Sequence, residues 1–502
     1  MRTTSREAQA FFDQGVTLVF GFNHEAAVRA FQRAAELDPG AAMPHWGMAW
    51  ALGPNYNLDV DDERAKQAHG AIERAKTLAA SGRDSERAYV DAMAIRFTSD
   101  PNPDRAALAR RYSQAMRALV QRFPDDLDAA TLYAESLMNL RPWKLWTLRG
   151  APAEDTLEIM RVLEGVLARD PDHVGANHYY IHTVEASPNP GRALASARRL
   201  ERLVPAAGHL VHMPAHIYAR TGDHAAAAAA NLAGAEADRA YLKTAPAGGF
   251  YEMAYFTHNL HFLADSHMNS GRLADARQAA HDLIAAMSPH LAMMPMGESM
   301  LTMGTSVLLR FGRYDEVLAQ PEPPEDRPVL RAWWRFARAV ALARTGKPDE
   351  ATAERRALGD ATTRVPDSAL FGGTGLTSAR SILGLAALVL DARIAEARGT
   401  RDRAIVLWRQ AVAAGDEVPY DEPPIWFYPL RESLGVALLA ADRPADAEQA
   451  FRESLERTPR DARALLGLKT SLDRQGKESG WVALAFEAAW RGADSELKIE
   501  GL

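Results

Sequence analysis

Eight of the fifteen histidines in this 502-residue chain fall in three short segments. The segments read GANHYYIHTVEA, GHLVHMPAHIYAR and FTHNLHFLADSH, and they carry His178, His182, His209, His212, His216, His258, His261 and His267. Spacings of three and four stack side chains on one face of a helix, so each segment presents a stripe of imidazoles. Three such stripes on neighbouring helices would pool into a metal centre. The expected ligands are His178, His182, His209, His212, His216, His258 and His261. The bland alternative is a groove of histidines that hydrogen-bond carbonyls or grip an acidic peptide. A lone helical histidine is usually no more than a satisfied polar residue, but clustering of this kind, with none after His290, argues for a shared purpose.

The donor set narrows the metal. The chain has no cysteine, which excludes thiolate copper, zinc ribbons, Fe–S clusters, disulfides and cysteine nucleophiles. Neutral nitrogens suit copper, zinc, nickel or iron rather than calcium or magnesium. Neither the HEXXH of metalloproteases nor the Glu-x-x-His of ferritin-type di-iron sites occurs. Up to six histidines from several helices is the donor set of a coupled dicopper centre. Met293, Met294, Met296, Met300 and Met303 would add soft thioethers that favour Cu(I). Copper is therefore the first reading, zinc the second and iron the least favoured. Copper implies oxidation of a small organic substrate. Zinc implies hydrolysis, with Glu135 or Glu185 as base, although either carboxylate could instead orient a ligand imidazole. His45, Trp46, Trp143 and Tyr218 are the expected substrate-pocket residues. A non-catalytic scaffold that binds a peptide or small ligand in its groove is the alternative from a different class.

These stripes need helices to carry them. Alanine, arginine and glutamate are abundant and β-branched runs are scarce, which favours helix. Residues 8–41 place Phe11, Gly15, Leu18, Ala27, Phe31, Ala34 and Pro39 at offsets 4, 8, 11, 20, 24, 27 and 32 of a 34-residue frame. Residues 428–461 repeat Gly435, Leu438, Ala447, Phe451 and Pro459 at the matching offsets. This pattern resembles the tetratricopeptide repeat (TPR), a helix–turn–helix. NHYYIHTVEAS, HLVHMPAHIY and THNLHFL, with LYAESLMNLRPWKLW upstream, also resemble uncharacterised bacterial TPR proteins with histidine-rich first helices. The resemblance implies an all-α, right-handed superhelical solenoid of about eleven or twelve hairpins. It further implies that offsets 2, 5, 9 and 12 of each first helix face the concave groove. Those offsets hold the seven expected ligands, while His267 is expected in a repeat interface.

The expected organisation is a solenoid over 1–357, with the core of the site at 126–270. A loop at 358–379 follows, and hairpins over 380–502 continue the solenoid. Irregular joins are expected at 50–66, 140–155, 290–300 and 416–429. The net charge of −7 argues against nucleic acid as partner. No window approaches 18 uninterrupted apolar residues, so no membrane span is expected. The N-terminus has no apolar leader, so a cytoplasmic location is expected, or a periplasmic one if a signal peptide has been removed.

Overall fold

The computed structural model describes every residue except Ser81 and Leu502. Among the described residues, regular structure is helical. β-Structure is limited to the isolated bridges Asn55–Leu58, Trp146–Pro152 and Leu370–Ser378, which close three of the expected joins. The architecture is all-α and TPR-like, built from successive helical hairpins. The chain forms two compact units. The first comprises Met1–Ile217 with Glu236–Tyr251, and the second Tyr218–Ala235 with Glu252–Leu502. No described helix is long and apolar enough to cross a membrane.

In the first unit, helices Arg6–Phe20 and His24–Leu37 form the opening hairpin. Ser5 and Asn23 cap them by accepting from Ala8 N and Ala26 N, which satisfies amides that the first turn leaves without partners. The repeat glycines act through contact. The fully buried Phe31 ring lies against Gly15 on one side and Gly47 on the other. A Cβ at Gly15 would stand 2.5 Å from Phe31 Cε1. In the second unit Phe451 lies in the same way between Gly435 and Gly467. The offset pattern is thus a packing rule: no side chain fits where the ring of the second helix meets the first helix of its own repeat and of the next.

That contact predicts opposite signs for two similar substitutions. Gly15→Ala overpacks the site and is expected to destabilise by about 1–3 kcal/mol, outweighing any helix-propensity gain. Gly165→Ala, in the helix Thr156–Arg169 with open space around the position, is expected to stabilise by about 0.5–1 kcal/mol. Urea unfolding of the two variants measures both.

Two sequence expectations change. The join expected at 358–379 is shorter, because the helix Pro348–Arg364 continues through it until Arg364. Buried Leu358 anchors that extra length. Three of the methionines read as soft ligands, Met294, Met300 and Met303, pack in the second unit. Met300 and Met303 belong to its apolar core, and Met293 is largely exposed.

Candidate metal centre

Two helices of the first unit carry the candidate ligands, and each has a local reason for its placement. The helix Val174–Val184 starts at His173, whose Nδ1 accepts from Ala176 N at 3.1 Å. This puts His178 and His182 one turn apart. Glu185 caps the far end, and its carboxylate reaches back one turn to His182. The GHLVHMPAH segment is split. One short helix runs Gly208–His212, and Pro214 starts the next, Pro214–Arg220. Proline has no N–H to give but is preorganised for a first helical position. His212 and His216 face each other across this break.

His178, His182, His209, His212 and His216 are all buried, as is Glu185. Ring centroids are 4.8 Å apart for His178–His182, 5.0 Å for His178–His209 and 4.8 Å for His212–His216. His178, His182 and His209 offer one nitrogen each within 4.8 Å of the others. This triad could hold a metal ion.

The hydrogen bonds select the tautomers. His178 Nδ1–H donates to the Phe20 carbonyl at 2.5 Å. His182 Nδ1–H donates to Glu185 Oε1 at 2.9 Å, and His216 Nδ1–H donates to Glu185 Oε2 at 2.7 Å. Each imidazole so fixed keeps its Nε2 lone pair for another use. His216 spends it on His212, with the Nε2 atoms 2.8 Å apart. The Nε2 atoms of His178 and His182 make no hydrogen bond and are shut off from solvent. Burial holds the His178 imidazole well below its ordinary pKa, reinforced by neighbouring His182, so it stays neutral as a ligand must.

Several positioning residues have no signature in the sequence. Phe22, in the turn between the first two helices, has a φ of 56°, a left-handed conformation rare for an aromatic residue. Its ring stacks on His209 at 5.4 Å and His182 at 5.7 Å, and meets His178 edge-on at 4.5 Å. Tyr56, together with Trp143, which the sequence did single out, completes the wall beside His182, with centroids 5.3 and 5.8 Å away. Tyr251 accepts from His209 N at 3.0 Å and donates to Asp238 Oδ1 at 2.7 Å, which pins the start of the helix Gly208–His212.

The other expected site residues lie as follows. Glu135 is buried; Oε1 accepts from Asn139 Nδ2 at 2.7 Å and Oε2 has no hydrogen bond. Burial raises its carboxyl pKa, opposed by Arg96. Arg96 Nη2 donates to the Pro54 carbonyl, two residues before the Tyr56 ring that flanks His182. Trp46 lines a cavity of about 190 Å³ with Phe20 and Trp50. Phe20 joins that cavity to the centre, since its ring lines one and its carbonyl bonds His178. His45 is half-buried, and burial lowers its pKa. Trp143 is at the centre itself. Tyr218, His258 and His261 belong to the second unit. There Tyr218 is buried, His258 and His261 are half-buried on the helix Thr257–Asn269, and burial lowers His261 to about 4.

No family model matches the chain, and no curated protein does. Among solved structures, the human IFIT1 dimer with m7Gppp-AAAA is similar at 12% identity over 91% of each chain, with a TM-score of 0.35. The P58(IPK) TPR domain matches at 11% identity, covering 93% of this chain and 98% of that one, with a TM-score of 0.22. Yeast Tom70 matches at 12%, covering 98% and 93%, with a TM-score of 0.29. Similarity at this level carries no implication for activity.

Proposed function

We propose that this chain is a metal-dependent enzyme that holds a transition metal at His178, His182 and His209 and acts on a small organic substrate. The reading rests on one observation. Two buried imidazoles have their Nδ1–H groups committed to a carbonyl and a carboxylate, while their Nε2 lone pairs converge with no proton donor. Leaving buried polar atoms unsatisfied costs about 1–3 kcal/mol each, and a metal removes that cost. The outer carbonyl and carboxylate are the usual partners of ligating histidines.

Copper is the first reading, because an all-imidazole set accepts it and divalent affinities peak there. Zinc is the second, favoured by the Glu185–His182 pair, since carboxylate-oriented histidines are typical of zinc sites. Bound copper would supply oxidative chemistry, and bound zinc would supply hydrolysis. Both Glu185 oxygens hold imidazole protons, so Glu185 orients ligands in either case. That leaves Glu135, with its raised carboxyl pKa, as the group to carry a proton.

The test is reconstitution of the purified chain with copper, zinc and iron, followed by metal analysis and an optical spectrum. About one equivalent of copper with a visible copper(II) spectrum supports the oxidative reading, and bound metal with a silent spectrum supports zinc. Retention below about half an equivalent of every metal leaves the scaffold reading in place and ends the enzyme one.

A further inference from the structure

The second unit has a cavity of its own, of about 310 Å³, which is large enough for a small ligand. One wall is the 416–429 segment, DEVPYDEPPIWFYP, which contributes Tyr420, Trp426, Phe427 and Tyr428. Long irregular segments of this kind in a compact helical array often have functional roles. The segment is tied down at its start and near its middle. Asp421 accepts from Gly373 N and Thr374 N at 3.1 Å each, and Asp416 takes both terminal nitrogens of Arg431 at 2.8 and 2.7 Å.

Most of the charges around the cavity are already matched. Asp416 is also held by Arg457 at 2.8 Å, and Asp461 caps the helix Ala462–Asp473 through Ala464 N. Burial lowers the pKa of His224, so that ring is neutral. Arg310, the cation nearest in influence to Asp265, is bound by Glu432 through two hydrogen bonds. Arg220 lies over the Tyr420 ring at 5.6 Å. Asp265, which lines the cavity, has no such counter-charge. Its side chain is buried, Oδ2 accepts from Asn269 Nδ2 at 3.1 Å, and among the described residues no cation pairs with the carboxylate. Burial pushes the carboxyl up to about 7, as expected of an anion with no cation in contact.

We infer that this cavity binds a small organic amine as a monocation, with Asp265 as its counter-charge and Tyr420 and Trp426 as the aromatic faces beside it. A desolvated ammonium gains from both a carboxylate and ring quadrupoles.

Calorimetry on the full chain with phenethylamine, phenylacetate and 2-phenylethanol tests this. Saturable 1:1 binding of phenethylamine is expected, with the anion and the alcohol weaker by about tenfold or more. Asp265→Asn should weaken the amine by a similar factor, and Tyr420→Leu should weaken it too, while the metal content of the first unit is unchanged. Phenylacetate binding as tightly as the amine, unaltered affinity in Asp265→Asn, or no saturation at millimolar phenethylamine would each overturn the assignment. If Asp265→Asn fails to fold by thermal melt, Tyr420→Leu and the ligand comparison in the parent chain decide the matter.

Discussion

Exchange of Glu185 for glutamine is expected to weaken metal binding about 10–100-fold without unfolding the chain. Each Glu185 oxygen accepts an imidazole Nδ1–H, one from His182 and one from His216. An amide has one acceptor and one donor, so it satisfies only one of the two. Where the amide N–H meets His182, that imidazole must turn its Nδ1 lone pair to it and move its proton to Nε2, where it can no longer ligate; where it meets His216, the hydrogen-bonded frame that holds His182 is disturbed instead. His182→Ala removes a ligand outright and should lose still more affinity. Competition against a chromophoric chelator measures both variants, with far-UV circular dichroism to confirm the fold. Wild-type affinity in Glu185→Gln would show that the carboxylate does not govern the centre.

The largest stability effect is expected in the second unit. Glu432→Gln should destabilise it by about 3–5 kcal/mol. Arg310 Nη1 and Nη2 donate to the two Glu432 oxygens at 2.6 and 2.9 Å, and both side chains are almost wholly buried. Burial raises the Glu432 carboxyl pKa, and the guanidinium opposes that rise. Removing the negative charge leaves a buried guanidinium without its partner, although Tyr428 still lies 5.3 Å from it. Replacing both partners with apolar side chains of similar volume, Arg310→Met with Glu432→Leu, should recover most of the loss, because neither buried charge then remains. Urea unfolding of the single and double variants reads this out. A single variant as stable as the parent would mean that the pair contributes nothing.

The sequence alone carried the information that is local and periodic. Spacings of three and four put His178 with His182 and His212 with His216 on common faces, because the pitch of a helix requires it. The 34-residue frame located Gly15 and Gly435 under Phe31 and Phe451, because a helix pair can close only where a side chain is missing. Glu185 was legible only as one of two carboxylates, with Glu135, that could act as a base or orient an imidazole.

Other features needed the tertiary structure, because they depend on residues far apart in the chain. The tautomer of His178 is set by the carbonyl of Phe20, 158 residues away. His209 is placed through Tyr251, at the start of a π-helix, and Asp238, in the helix before it, neither of which the sequence singles out. Phe22 takes the left-handed turn position that glycine fills at Gly222, Gly271 and Gly312, and its packing against three imidazoles appears only in the tertiary structure. The methionines show the converse: their thioether chemistry suggested soft ligands, but burial in an apolar core assigns Met300 and Met303 to packing. Helical periodicity can show which side chains share a face. What their polar atoms meet is decided by contacts between distant segments, and those determined which histidine nitrogens are left open to a metal.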